Sequence, residues 1–220
     1  MSGAAAPQDA MPTDPRGAGA RFVKRAADVA IAGSLVLLTA PAFALACLAI
    51  RLETAGSPIY RQRRVGKSGA DFQLLKLRTM VKGAEYIGAG LAVDAGDPRI
   101  TRVGAFLRRF SLDELPNLFN VLSGQMSIVG PRPTVRVQVD QYTRCQLGRL
   151  SVEPGITGWA QVKGRAALPW HERIELDLWY IENWSLRLDA RILAETARLL
   201  VTGRGLYRGE RGGWRPPAGD

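Results

Sequence analysis

The feature that most limits this chain is one apolar stretch, residues 26–50, interrupted by a single proline, Pro41. Its only charge, Asp28, lies near the start. At about 1.5 Å per residue, a helix of this length could cross a bilayer core of about 30 Å. A membrane helix is therefore the default. Pro41 removes one helical hydrogen bond and bends the axis. Lys24 and Arg25 precede the stretch, and Arg51, Arg61, Arg63, Arg64 and Lys67 follow it. Lysine and arginine mark cytoplasmic flanks, so both ends read as lying on one side of the membrane. This favours a re-entrant helix over residues 21–54, bent at Ala40 and Pro41. The Thr39 hydroxyl is at hand for a freed backbone group. The competing reading is a kinked helix that crosses fully.

Residues 1–20 are rich in Ala, Gly, Pro and Asp without an apolar period, which predicts a disordered tail and not a signal peptide. The net charge of +10 points to an anionic partner: nucleic acid, phospholipid or a phosphorylated small molecule. Cys47 sits inside the apolar stretch, so a disulfide to Cys145 is not expected. The single histidine, His171, reads as a surface helix residue. That argues against a histidine-rich zinc site and a Ser-His-Asp triad.

After the apolar stretch, residues 58–65 and 71–78 alternate around a glycine-bounded turn and predict a β-hairpin. Its arginines suit lipid headgroups, or simply solvent. Residues 81–95 read as a weak helix passing into a loop. Ile100, Val103, Phe106, Leu107 and Phe110 form the apolar stripe of an amphipathic helix. Residues 134–150, 170–184 and 186–201 also read as helices, the last able to lie in a membrane interface or to cap a core. Between them, residues 154–164 form a glycine-punctuated loop. Such a loop brings backbone amides close to a ligand, or is an ordinary turn with Trp159 packed inward. Residues 205–220 read as a mobile tail.

The chemistry concentrates in residues 108–133. Asp113 and Glu114 are adjacent carboxylates at the mouth of an apolar run. Arg108 and Arg109 lie just upstream, and Arg132 stands between two prolines. Anions and cations this close, near a helix start, suit a phosphate that is held and attacked. The bland alternative is a capping box, because Ser111 and Glu114 have the Ser-x-x-Glu spacing in which each side chain closes a backbone amide of the other. Spacing alone leaves both readings open.

Several stretches taken in order resemble one family, the monotopic phosphoglycosyl transferases, or bacterial sugar transferases, in their small single-domain form. They are Lys24-Arg25-Ala-Ala-Asp28, the proline in the apolar stretch, Phe72-Gln-Leu-Leu-Lys-Leu-Arg-Thr-Met80 and Asp97-Pro-Arg-Ile-Thr-Arg-Val-Gly104. They continue with Arg108-Arg-Phe-Ser-Leu-Asp-Glu-Leu-Pro-Asn-Leu-Phe-Asn-Val-Leu122, Met126-Ser-Ile-Val-Gly-Pro-Arg-Pro133 and Pro154-Gly-Ile-Thr-Gly-Trp-Ala-Gln-Val162. The resemblance covers about residues 22–204 and departs at Ala40, where many relatives carry serine before the proline.

The resemblance implies a mostly helical α+β, monotopic fold, with a tail over 1–20, a re-entrant helix over 21–54 and a catalytic domain over 55–204. It implies transfer of a phosphosugar from a nucleoside diphosphate sugar, with uridine as the usual base, to polyprenol phosphate. Release of UMP follows, as an initiating step of a bacterial surface glycan, on the cytoplasmic face of the inner membrane. Asp113 holds the place of the nucleophile that forms a covalent phosphosugar intermediate. Glu114, with or without Asp113, is implied as a ligand of Mg²⁺. Arg108 and Arg132 are suited to substrate phosphates. Phospholipid is an expected partner, nucleic acid is not, and a homo-oligomer is allowed. The reading of another class is a basic, membrane-tethered interaction module without catalysis. It explains the charge and the apolar stretch but not the carboxylate pair among arginines.

Overall fold

The computed structural model of the protein describes residues 12–84, 96–164 and 168–202. It is a mostly helical α+β arrangement with one long apolar helix, α1 (Ala18–Glu53). The helix starts within the stretch expected to be a tail. Just before it, Arg16 is buried and bonds Asp14 and Glu153, while Lys67 reaches the same two acids. Charge pairing thus ties residues 14–16 to the domain, against the expectation of disorder. Residues 1–11 and 205–220 lie outside the described residues.

Next comes the hairpin, β1 (Ile59–Val65) and β2 (Asp71–Leu77), paired antiparallel with Ile59 opposite Leu77 and Val65 opposite Asp71. Period-2 alternation made it legible: Phe72 and Leu74 point into the core and Gln73 out. Most of the weak helix expected over 81–95 falls outside the described residues. Helix α2 (Arg102–Arg109) is capped by the Thr101 hydroxyl, which accepts from the Gly104 amide. A 3₁₀ turn (Leu112–Glu114), α3 (Asn117–Leu122) and β3 (Ser127–Val129) follow. The expected helix over 134–150 is not one element. It divides into α4 (Arg136–Val139) and a 3₁₀ turn (Gln146–Leu150). Thr143 and Gln146 bond each other's backbone amides there and restart the chain. Then come β4 (Gly155–Thr157), parallel to β3, and α5 (Trp159–Lys163), α6 (Trp170–Glu182) and α7 (Leu186–Thr202).

The core joins Phe72, Leu74, Val121, Met126, Ile128, Tyr180, Ile181 and Ile192, and Ala32 brings α1 into it. Helix α7 caps this core through Ile192. The glycine-punctuated loop serves backbone packing. A Cβ on Gly155 would lie 2.1 Å from the Gly130 nitrogen, and one on Gly158 2.1 Å from the Gly130 oxygen. These glycines let β4 and the loop after β3 close on each other, and Trp159 packs inward.

Helix α1 is helical past Pro41. The Thr39 hydroxyl donates to the Leu35 carbonyl, not to that of Leu37, which loses its donor to the proline. One stripe of α1 faces the domain: Lys24, Asp28 and Ala32 near the start, Ile50 near the end. The other face is bare, with Leu37 78%, Leu38 77% and Leu45 68% exposed. Phe106, Phe110 and Phe119 add exposed aromatic surface; Phe106 and Phe110 leave the stripe expected to be buried. Phe119 also meets Phe43 of α1 edge to face.

Both ends of α1 are fastened by polar bonds. Arg25 donates to the Val121 carbonyl and to that of Leu122, the last residue of α3. Lys24 pairs with Asp28 at 3.1 Å and Asp189 at 2.9 Å, and Asp28 also accepts from the Ile128 amide. At the far end, Glu53 accepts from the Arg102 and Val103 amides that open α2. Lys24 and Arg25, expected as charges flanking a membrane helix, are therefore bonded within the domain.

Candidate active site

Asp113 and Glu114 occupy the short 3₁₀ turn between α2 and α3. The capping box does not form. Ser111 has a left-handed backbone (φ 55°) and makes no side-chain cap, whereas a capping residue is extended. That conformation is uncommon for a residue with a side chain and turns the chain sharply. Asp113 consequently faces inward, 8% exposed. The turn is too short to present a helix dipole, and Pro116 opens a helix of only six residues. The electrostatics of the dyad therefore come from side chains.

A cavity of about 580 Å³ opens in front of the two acids. Arg64, Lys76, Arg108, Arg132, Arg149 and Arg173 line it, against Asp113, Glu114 and Asp177. Three positive charges are thus in excess, a demand for an anion. Glu114 Oε1 accepts from Lys76 Nζ at 2.8 Å and from Arg132 Nη2 at 2.7 Å. Burial alone would raise its proton affinity, but Arg132 and Lys76 outweigh that and hold the carboxyl below the usual range. Burial pushes Asp113 above its ordinary value. Lys76 pulls it back, Glu114 pushes it further up, and Arg108 and Arg132 oppose the rise. Burial and the like charge of Arg132 push the Arg64 guanidinium down to about 10. Nη1 of Arg108 is buried without a hydrogen-bond partner. An unpaired buried donor is costly, and a phosphate oxygen would relieve it.

All four residues singled out for chemistry, Asp113, Glu114, Arg108 and Arg132, border this one cavity. Arg109 does not; it is exposed and its guanidinium lies 5.8 Å from the Phe110 ring. Sequence reasoning missed Lys76, although a signal existed. It has the parity of Phe72 and Leu74, the inward positions of β2. It also missed a buried support. Arg149 donates to Asp177 through Nε (2.6 Å), to the Tyr142 hydroxyl through Nη1 (2.6 Å) and to the Arg132 carbonyl through Nη2 (2.7 Å). Arg149 therefore grips the backbone of the exposed Arg132, and Pro131 and Pro133 stiffen it on either side. Nothing in sequence joins Arg149 to Asp177, 28 residues away.

The cavity also has an apolar wall. Leu35 of α1, Leu118 and Ile128, with Leu193, Leu199 and Leu200 of α7, contribute to it. A phosphate-sized anionic group and an apolar chain can thus meet in one space, beside the bare face of α1.

The bacterial sugar transferase family model matches residues 19–203. The chain is 44% identical over 190 residues to the UDP-N-acetylgalactosamine-undecaprenyl-phosphate N-acetylgalactosaminephosphotransferase of Aeromonas hydrophila, covering 84% of this chain and 45% of that protein. It therefore spans less than half of that relative. It is also 44% identical over 193 residues to the UDP-glucose:undecaprenyl-phosphate glucose-1-phosphate transferase of Caulobacter vibrioides, at 84% and 72% coverage. An uncharacterized sugar transferase of Bacillus subtilis, EpsL, is 39% identical over 187 residues, at 85% and 91%.

Proposed function

The chain belongs to the bacterial sugar transferase family, and from that premise we propose that it transfers a phosphosugar from a nucleoside diphosphate sugar to polyprenol phosphate. Uridine is the proposed base and UMP the proposed leaving product, in keeping with the substrates named for the Aeromonas and Caulobacter relatives. The observation that carries this reading is the buried Asp113 carboxylate facing a cavity with excess cations, one of them with an unpaired buried nitrogen.

In the proposed reaction Asp113 attacks the sugar-bearing β-phosphorus. The bond from that phosphorus to the bridging oxygen breaks, and its electron pair leaves on the nucleoside monophosphate. An oxygen of polyprenol phosphate then attacks the same phosphorus and expels the Asp113 carboxylate. Like charges repel in both steps, so Arg108, Arg132 and Lys76 neutralise the phosphates and favour the ionised form of Asp113. Arg149 keeps Arg132 aimed.

Mg²⁺ is the proposed cofactor. Among the described residues no group of three or more His, Cys, Asp or Glu side chains could hold a metal. The donor set still fits, because Mg²⁺ is commonly held by one or two carboxylates plus substrate phosphates. Glu114 and Asp113 would supply the carboxylates, and the bound ion would neutralise diphosphate oxygens.

The proposed location is the cytoplasmic face of the bacterial inner membrane, with α1 re-entrant. Two observations support it. The apolar face of α1 is bare, and both its ends bond the same domain, whereas a crossing would part them.

The test combines purified protein, Mg²⁺, polyprenol phosphate and a panel of nucleotide sugars, with release of nucleoside monophosphate as the readout. Asp113→Asn should abolish release while the protein stays in the membrane fraction. Quenching without acceptor should leave one phosphosugar mass on the peptide containing Asp113. An adduct on another residue would refute Asp113 as nucleophile.

A further inference from the structure

The Glu114 carboxylate raises a question that the proposed reaction leaves open. Its Oε1 atom accepts two charged donors at once, Lys76 at 2.8 Å and Arg132 at 2.7 Å. Two cations already share the oxygen expected to serve a third. The two donors differ in freedom. The Lys76 side chain is 18% exposed on the inward face of β2, whereas that of Arg132 is 46% exposed in the segment between β3 and α4.

We propose that Lys76 and Arg132 stand in for the divalent cation in the ligand-free protein, so that the metal site forms only when a diphosphate arrives and draws Arg132 away from Glu114. This rests on the proposed function. A guanidinium gains more from two phosphate oxygens in fork geometry than from one carboxylate oxygen. Arg132 can turn to the diphosphate because Arg149 holds only its backbone, and the bond from its side chain to Glu114 is the one exchanged. Its departure removes one positive charge from Glu114. The diphosphate adds its oxygens to the two carboxylates, and water completes the coordination. Lys76 stays behind and keeps Glu114 pointed into the cavity. Until then a dication would meet the charges of Lys76 and Arg132 already bonded to Glu114. The ion and the nucleotide consequently bind as a unit, each raising the affinity for the other by the same factor.

The experiment titrates Mn²⁺ into the full chain in lipid nanodiscs, following the free-ion electron paramagnetic resonance signal, with no nucleotide and no turnover. The wild-type protein should remove no stoichiometric Mn²⁺ at concentrations where Lys76→Met removes one ion per chain, a gain in affinity of tenfold or more. Arg132→Gln should do the same from the exposed side, which keeps the test available if Lys76→Met does not fold. Adding Glu114→Gln to either variant should abolish the gain. In a companion measurement, Mg²⁺ should tighten UDP binding to wild type by tenfold or more, and far less in Lys76→Met. The proposal is overturned if wild type takes up one Mn²⁺ as tightly as the variants, or if neither variant gains an ion. It is also overturned if the gain survives Glu114→Gln. None of these outcomes depends on sugar transfer. A chain inactive on every nucleotide sugar would refute the proposed function alone, and an active chain with a preformed Mn²⁺ site would refute this inference alone.

Discussion

The buried pair behind Arg132 can be taken apart in two ways, and the two should give opposite results for stability and the same result for activity. Arg149→Met removes a guanidinium that bonds Asp177, Tyr142 and the Arg132 carbonyl. Asp177 is 1% exposed and would be left without its closest partner. Breaking a buried ion pair from one side costs about 3–5 kcal/mol. The charge of Arg173 also reaches Asp177 and offsets part of this, so the lower end, about 3 kcal/mol, is expected. For a chain of this size each kcal/mol moves Tm by about 2–4 °C, so Tm should fall by roughly 6–12 °C. The double variant Arg149→Met/Asp177→Leu removes both charges and should recover most of that loss, since apolar replacement of a whole buried pair is often neutral.

Activity should not recover with it. In both variants nothing grips the Arg132 carbonyl, and a misplacement of about 1 Å in a positioning group can cost on the order of a hundredfold. A loss of about tenfold to a hundredfold is expected, falling on kcat more than on KM. It should not add to the loss from Arg132→Met, because the two act through one group. The assay pairs thermal unfolding in nanodiscs with monophosphate release. If the double variant regained both wild-type melting and wild-type turnover, Arg149 would be structural and the reasoning would fail. Full additivity with Arg132→Met would refute it equally.

Turnover should rise with pH through the ionisation of Asp113, at a pH above the ordinary aspartate value of 3.8. Lys76→Met should move that limb further up, because the lysine charge favours the carboxylate; an unmoved limb in a pH–rate profile would contradict this. Burial opposes the ionisation of Asp14, but its bonds and charge contact with Arg16, with Lys67 assisting, hold it lower, at about 2. The stability it contributes is present above 3.8 and is lost as pH falls from there toward 2. Acid titration of unfolding should show Asp14→Asn weakening the protein near neutrality but not at pH 2. Gly155→Ala should yield no folded protein, since backbone stands 2.1 Å from the added carbon, whereas Gly17→Ala, with nothing within 4 Å, should be silent by melting temperature. Ser111→Gly should be tolerated at its φ of 55°, while Ser111→Val should lose turnover as the turn that aims Asp113 straightens.

The hairpin and the apolar helix were legible because each carries a local period. The dyad was legible as a place, because two acids among arginines beside a helix start are uncommon. Its surroundings were less so. The Ser-x-x-Glu spacing carries no backbone angle, and the left-handed Ser111 that defeats the cap appears only in three dimensions. Lys24 and Arg25 read as membrane flanks because that is what cations beside an apolar run usually are. Their partners, Asp189 and the carbonyls of α3, lie 165 and about 97 residues away. Arg61, Arg63 and Arg64 look alike in sequence. The strand turns only Arg64 toward the cavity, and strand parity would have separated it from the other two.

Because Arg25 closes the end of α3 and Glu53 opens α2, the greasy segment is a structural member of the enzyme and not a detachable tether. A water-soluble form made by trimming it away would lose two helix caps and the lysine that neutralises Asp189. A soluble form would instead need polar replacements on the bare leucine face, with the capping residues left in place.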